Sequence, residues 1–311
     1  MLKHAQKRVY ITCLSMTRCP ATNKFITEAV KAARRGVDVH VAIDLFAFLC
    51  GHNSKLRSRM LGRDMRRTSR MRNDFIDAGA EFHWLGMQRI PYFTGRTHSK
   101  WVIIDDDVFS FGGVNLDQSG ITERVDYIFH LVDHNIADHI VAEQHFIEDH
   151  PDNAKRAKDH FVRTEYGDIL FDSGRMGKSI IYNRAIKLAK RATSVVLCSQ
   201  YCPGDKLSQV LVDKKAKVYF NPKGSAGDAA NNFMIGSKKL TTEMPNQYKR
   251  ARYLHAKFMI ATLPDGSKRA ITGSNNFSSI SIGAGTREVA LETSDPRVIV
   301  QLEDFLDKYV A

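Results

Sequence analysis

"GRTHSKWVIIDDDVFSFGGVNLD", residues 95–117, opens with a histidine and a lysine two positions apart, runs into an apolar strand, and ends in Gly-Gly-Val-Asn. Later in the chain, "LHAKFMIATLPDGSKRAITGSNNFSS", residues 254–279, follows the same plan. His255, Lys257, Gly273, Ser274 and Asn276 stand in the places of His98, Lys100, Gly112, Gly113 and Asn115, with four extra residues around "LPDG". An Asp-Gly pair is a turn signal, so a longer hairpin absorbs that difference. With 12 histidines in the chain a lone His-x-Lys arises by chance, but two copies in matching surroundings do not.

The repetition extends outward. "KHAQKRVYITCLS" (3–15) aligns with "KLAKRATSVVLCSQ" (187–200), each a helix end running into a β-rich strand. "NKFITEAVKAARRGVDVHVAID" (23–44) aligns with "DKLSQVLVDKKAKVYFN" (205–221), an amphipathic helix followed by a strand in which Val37, Val39, Val41 and Ile43 alternate. Beyond the motifs, Asp126 stays in step with Glu288 and Asp133 with Asp295. This pattern predicts an α/β protein of two tandem repeats with mixed sheets: residues 1–150, a connection at 151–164, and residues 165–311. A full helix at about 178–192 precedes the first strand of the second repeat. Met1 falls in the last turns of its counterpart, so either an N-terminal segment is missing or that helix is short.

The chain of 311 residues carries a formal charge of +12, which calls for a polyanionic partner, either nucleic acid or an anionic membrane surface. The densest basic run is "KLRSRMLGRDMRRTSRMRND" (55–74), where Arg63, Arg66, Arg67 and Arg70 are candidates for phosphate or headgroup contact; the alternative is a solvated helix face. No apolar run approaches the ~20 residues that span a bilayer, and no signal peptide opens the chain. A soluble, cytoplasmic protein is expected, or one that sits on a membrane surface. Cys13, Cys19, Cys50, Cys198 and Cys202 are odd in number and sit in or beside apolar segments, as buried thiols do. Cys198 and Cys202 lack a second pair at zinc spacing. The histidine-rich "DHNIADHIVAEQHFIEDH" (133–150) lacks His-Glu-x-x-His and reads as an amphipathic helix with Ile136, Ile140, Phe146 and Ile147 inward, so no metal is assigned to it.

Residues i and i+2 of a strand share a face, so each His-Lys pair projects together. If the repeats pack about a pseudo-twofold axis, one surface gathers two imidazoles, two ammonium groups and two carboxamides. Such a cluster suits a phosphodiester. Lys100, Lys257, Asn115 and Asn276 hold non-bridging oxygens, one imidazole attacks phosphorus, and the other protonates the leaving oxygen. Asp126 and Glu288 are each expected to orient the histidine of their own repeat through its far ring nitrogen; the alternative is a surface charge at a strand end.

These residues resemble the paired His-x-Lys-x4-Asp signatures of the phospholipase D superfamily, and the likeness covers almost the whole chain. The first copy is complete in His98, Lys100 and Asp105, followed by Gly113 and Asn115. The second departs: Thr262 stands where the aspartate falls by strict spacing, and Asp265 follows three residues later. Asp105, Gly113, Ser274 and Asp265 are taken as supporting residues. The resemblance implies two-step transfer through a phosphohistidine, with retention at phosphorus and without metal or other cofactor. It implies His98 as nucleophile and His255 as acid and base, with the reverse open. "SQYCPGDKLSQVL" (199–211) and "DSGRMGKSIIYNRAIKLAKRA" (172–192) are similar to segments of bacterial cardiolipin synthases. That likeness implies a phosphatidyltransferase or hydrolase acting on phospholipid at an anionic membrane surface, with no obligate protein partner. Tyr92 and Phe93, with Ile90, Phe233, Met234 and Ile235, are candidates to admit acyl chains. Two other readings stay open: a metal-independent nuclease, and a non-catalytic binder of anionic lipid or nucleic acid.

Overall fold

The computed structural model describes residues 1–45, 57–86, 96–150, 157–225 and 244–311, with side chains of the helix that begins at Arg57 described from Arg66 onward. Cys50 and the stretch 151–156 lie outside the described residues.

In the first half the alternating apolar stretches become β1 (Arg8–Cys13), β2 (Asp38–Asp44) and β3 (Glu81–Leu85), joined through the helices α1 (Asn23–Arg34) and α2 (Arg57–Ile76). These three strands run parallel, as strand–helix–strand units require. The motif then supplies the antiparallel strands β4 (Trp101–Ile104), β5 (Asp107–Ser110) and β6 (Phe129–Val132), giving the order β3-β2-β1-β4-β5-β6. The short helix α3 (Gln118–Thr122) lies between β5 and β6, and α4 (His134–Asp149) follows β6.

The second half comprises β7 (His160–Thr164), β8 (Gly167–Ser173), α5 (Ile180–Arg191), β9 (Ser194–Cys198), α6 (Asp205–Asp213), β10 (Lys217–Tyr219), β11 (Phe258–Thr262), β12 (Lys268–Gly273), α7 (Ser279–Ala284), β13 (Arg287–Thr293) and α8 (Pro296–Phe305). Its sheet runs β10-β9-β11-β12-β13-β8-β7. Five strands match in order and direction: β2, β1, β4, β5 and β6 correspond to β10, β9, β11, β12 and β13. Asp133 and Asp295 match too, since each caps the helix it precedes, α4 by accepting from the Ile136 amide at 2.9 Å and α8 from that of Arg297 at 2.8 Å. Two differences from the sequence reading stand out. His160–Thr164, within the expected connection, is a strand of the second sheet. Ahead of β1 there is only a 3₁₀ turn, Leu2–His4, where a helix end was expected.

Three apolar clusters form the core. One lies within the first half and takes in Ile26, Val30, Met71 and Phe75 of α1 and α2, and another within the second takes in Ile181, Leu188, Leu207 and Leu211 of α5 and α6. The third is shared: Trp101, Phe111, Ile136 and Ile140 of the first half pack with Phe171, Phe258, Val289 and Leu302 of the second. Each such large side chain, fully buried, contributes about 2–3 kcal/mol, so separating the halves would expose much of what stabilises both. On α2 the basic run resolves into two faces: Met71 and Phe75 are buried, while Arg66, Arg67 and Arg70 are exposed. Among the described residues no helix is long and apolar enough to cross a membrane. Cys13, Cys198 and Cys202 are buried and Cys19 is half-buried.

Candidate active site

His98–Lys100 and His255–Lys257 occupy the extended residues just before β4 and β11 rather than the strands themselves. Each segment is held from below by a polar residue at the end of a parallel strand. Asp44, closing β2, accepts from the Thr97 amide at 2.7 Å and from Arg96 at 3.2 Å. Asn221, just past β10, accepts from the Leu254 amide at 2.9 Å and donates to the Leu254 and Gln200 carbonyls at 2.7 and 2.9 Å. Sequence reasoning missed both, although they are the final aligned positions of 23–44 and 205–221.

From above, each segment is held by the other half. Thr97 bridges Arg287 and Leu254 bridges Val125, both in parallel register. The His98 amide donates to the Arg287 carbonyl at 2.8 Å, and the His255 amide to that of Val125 at 2.9 Å. One residue beyond each bridge, His98 comes level with Glu288 and His255 with Asp126. His98 Nδ1 lies 2.9 Å from Glu288 Oε2, and His255 Nδ1 lies 2.6 Å from Asp126 Oδ2. The expectation that each carboxylate serves its own repeat is therefore wrong. The exchange is reciprocal, because the register of the two inter-half bridges dictates which side chains meet.

With Nδ1 donating to a carboxylate, each ring keeps its lone pair on Nε2. Lys257 Nζ also lies 3.2 Å from His255 Nδ1, but the shorter, charge-assisted bond to Asp126 sets the tautomer. Burial governs the protonation of the whole cluster. It pulls His98 down to about 4 against the opposing charge of Glu288, and drives His255 well below its ordinary value with help from Lys257 and Arg124. Both imidazoles are thus neutral at pH 7. Desolvation also lowers Lys100 to about 8 and Lys257 to about 7, with Glu288 and Asp126 working against it. Asp126 is raised by its burial; for Glu288, burial is outweighed by His98, Lys100 and the Ser274 hydroxyl, and its carboxyl ends below the usual range.

Both lysines curl back onto their own motif, Lys100 Nζ donating to the His98 carbonyl at 2.6 Å and Lys257 Nζ to that of His255. Asn115 and Asn276 are buried, and among the described residues neither side-chain oxygen has a hydrogen-bond partner. At Gly113 a Cβ would fall 2.7 Å from Asp126 Oδ2 and 2.8 Å from both Lys257 Nζ and the His255 carbonyl, so glycine is required. Ser274, its counterpart, donates to Glu288 and accepts from the Val289 amide.

The other expected site residues lie elsewhere. Asp105 sits in the β4–β5 turn at φ +54° and accepts from the amides of Lys7 and Arg8 at 2.8 and 3.1 Å, tying down the start of β1. Asp265 accepts from the amide and hydroxyl of Ser267 and so braces only its own hairpin. In the second half the Thr262 carbonyl takes over the tie by accepting from the Thr193 amide at 2.8 Å. Arg66, Arg67 and Arg70 stand on the exposed face of α2, outside the buried cluster. Tyr92, Phe93, Ile90, Phe233, Met234, Ile235 and the Arg63 side chain lie outside the described residues. Arg124, which sequence reasoning overlooked, places positive charge beside Lys100, Lys257 and His255.

Two imidazoles and two ammonium groups, with a carboxylate behind each imidazole, therefore meet in one cluster built from both halves. Residues 1–149 match the family described as cardiolipin synthase, PLD-like domain. This half of the chain belongs to the phospholipase D superfamily. The whole chain shares the fold of a phosphatidylserine synthase from Haemophilus influenzae Rd KW20, with a TM-score of 0.70, 14% identity, and coverage of 98% of this chain and 81% of that one. It is also similar to a polyphosphate kinase from Porphyromonas gingivalis, with a TM-score of 0.60 and 14% identity over 98% of this chain, which spans only 44% of the kinase. No curated protein sequence matches it. The phospholipase D-like half supplies His98, Lys100 and Asp126 to the cluster, and the second half supplies His255, Lys257 and Glu288.

Proposed function

We propose that the protein transfers phosphodiester groups through a phosphohistidine, and that its substrate is a phospholipid, as in a cardiolipin synthase-like phosphatidyltransferase or hydrolase. The observation that carries this is the reciprocal pair of carboxylate-backed, neutral imidazoles flanked by two buried lysines. His98 Nε2 attacks phosphorus as the bond to the leaving alkoxide breaks. Lys100, Lys257, Asn115 and Asn276 bear the charge on the non-bridging oxygens. The anionic phosphate raises the proton affinity of His255, which enters the reaction protonated and gives its Nε2 proton to the leaving oxygen. In the second step neutral His255 takes a proton from the acceptor alcohol or water, whose oxygen displaces His98. Two in-line displacements retain configuration at phosphorus. Asp126 and Glu288 orient the rings, and residues 1–150 and 165–311 act as one catalytic unit. The lysines supply the positive charge.

The lipid substrate is supported by the family matched by residues 1–149 and by the fold shared with a phosphatidylserine synthase. The protein would then work from the cytoplasm as a peripheral membrane enzyme. The net charge of +12 and the exposed arginines of α2 fit nucleic acid as well. One paired assay in EDTA separates the two: phosphatidylglycerol liposomes in one arm and labelled single- and double-stranded DNA in the other, each with the parent and His98→Ala. Cardiolipin or phosphatidic acid that disappears with the variant is the expected result. Histidine-dependent DNA cleavage with lipid untouched would make the protein a nuclease. Binding without turnover in the parent would make it a binder. Acid-quenched labelled substrate assigns the roles: His255→Ala should retain covalent label and His98→Ala should lose it.

A further inference from the structure

Away from the two motifs, a second group of imidazoles and carboxylates gathers where β1, β2 and β3 meet α4. The strand registers set Tyr10 opposite His40 and His40 opposite Glu81. Glu81 and His83, two apart on β3, share a face, and so do His145 and Glu148, three apart on α4. Three elements thereby bring three imidazoles onto one carboxylate oxygen. Glu148 Oε2 lies 2.9 Å from His40 Nδ1, 3.5 Å from His145 Nδ1 and 3.9 Å from His83 Nε2. Glu81 Oε2 lies 3.3 Å from His83 Nε2 and 3.7 Å from His40 Nδ1. Two triads, His40–His145–Glu148 and His40–Glu81–His83, each hold their ligand atoms within 4.8 Å of one another.

These separations, 2.9 to 3.9 Å, bracket those of a tetrahedron around one small cation. Zinc bonds to nitrogen and oxygen of about 2.0–2.2 Å place neighbouring ligand atoms about 3.3–3.6 Å apart. The far atoms of the ligands are held as metal ligands usually are. His40 Nε2 lies 3.2 Å from Asp38 Oδ1, and His145 Nε2 lies 3.1 Å from the Tyr10 hydroxyl. Glu148 Oε1 accepts from Gln144 at 2.8 Å, and the Gln144 oxygen accepts from the Trp101 indole at 2.7 Å. His40 is further fixed by stacking on Tyr10, with ring centres 4.5 Å apart. The three carboxylates Asp38, Glu81 and Glu148 provide the negative charge that a dication balances. His40 and Glu148 are buried, while Glu81 and His145 are exposed, so an ion has a way in.

We propose that this cluster binds one divalent first-row ion, zinc by its preference for imidazole and carboxylate, with His40, His145 and Glu148 as ligands and Glu81 or His83 completing the fourth position. The ion clamps α4 to the first sheet, and through Ile136 and Ile140 it steadies the core shared by both halves. It takes no part in the phosphodiester site and does not depend on that site's chemistry.

The test is to strip the full chain with chelator, then titrate it with zinc chloride by calorimetry while following the thermal midpoint, and with cobalt(II) while recording the visible spectrum. The expected result is about one zinc per chain, a midpoint raised by several degrees, and cobalt absorption typical of tetrahedral coordination. His145→Asn, at an exposed position, and Glu148→Gln should each weaken binding by more than about tenfold with circular dichroism unchanged. His98→Ala and His255→Ala should bind zinc like the parent. Zinc affinity equal in the parent and His145→Asn, a midpoint that zinc does not move, or zinc lost with His98→Ala or His255→Ala would each overturn the proposal. Because the readouts are affinity, spectrum and midpoint, a negative result in the lipid assay leaves this test untouched.

Discussion

His98 meets a carboxylate 190 residues away, and His255 meets one 129 residues away. The functional unit at this scale is a pair, and the pairs cross between halves. Glu288→Gln should therefore impair the chemistry of His98 and Asp126→Asn that of His255, each lowering kcat by about 10²–10⁴-fold. Rapid-quench measurement of covalent labelling with a substrate whose leaving group needs no protonation distinguishes them: Glu288→Gln slows formation of the phosphohistidine and Asp126→Asn leaves it unchanged, whereas the opposite pattern would mean the pairing is within each repeat. Protonation belongs to this scale too. Burial holds His98 at about 4, below its ordinary 6.5, so as pH falls the unfolded chain takes up this proton first. Stability is then full above pH 6.5 and falls by about 3 kcal/mol towards pH 4 from this group. Urea denaturation at pH 7.5 and 4.5 should show a smaller loss in His98→Asn than in the parent.

Short elements carry the site to its geometry. Asn221 is fully buried and satisfies Gln200 and both backbone groups of Leu254. Asn221→Leu should destabilise the protein by about 2–4 kcal/mol, since it orphans buried backbone groups, and should release the segment that carries His255. Equilibrium unfolding, with kcat measured well below the new midpoint, separates the two effects. In the loop after β5, Gly113→Ala forces Asp126, Lys257 or the His255 backbone to move. We expect activity lower by about 100-fold or more and a thermal midpoint shifted by only a few degrees. An unchanged kcat would show that the loop yields without disturbing Asp126.

The whole molecule is held by the core that both halves share and by the two bridges at Thr97–Arg287 and Leu254–Val125. Residues 1–149 expressed alone would expose Trp101, Phe111, Ile136 and Ile140 and leave His98 without its carboxylate. Each half alone should be aggregation-prone and inactive, and co-expression should restore soluble, active complex. Activity in residues 1–149 alone, read in the liposome assay after gel filtration, would overturn the two-half site unless that fragment self-associates.

Local signals were legible because they repeat: strand alternation, the turn at Asp-Gly, the caps Asp133 and Asp295, and two His-x-Lys motifs with their glycine, serine and asparagine followers. From these, the two α/β repeats and the histidines, lysines and carboxylates of the cluster were read in the linear chain. The partner of each imidazole was not, because a one-residue step in a bridge between halves decides which carboxylate arrives, and no local propensity encodes that register. Asp44 and Asn221 looked like ordinary strand ends, and Asp105 looked like part of the chemistry. The histidines of α4 form no metal motif within the helix itself; His40, Glu81 and His83 come from strands of the first sheet. Sequence by itself determined the elements and the inventory of reactive groups, since both depend on near neighbours. Only the tertiary structure decided who pairs with whom, because hydrogen bonds and ion pairs act over about 3 Å, and that proximity exists only once the two sheets have packed.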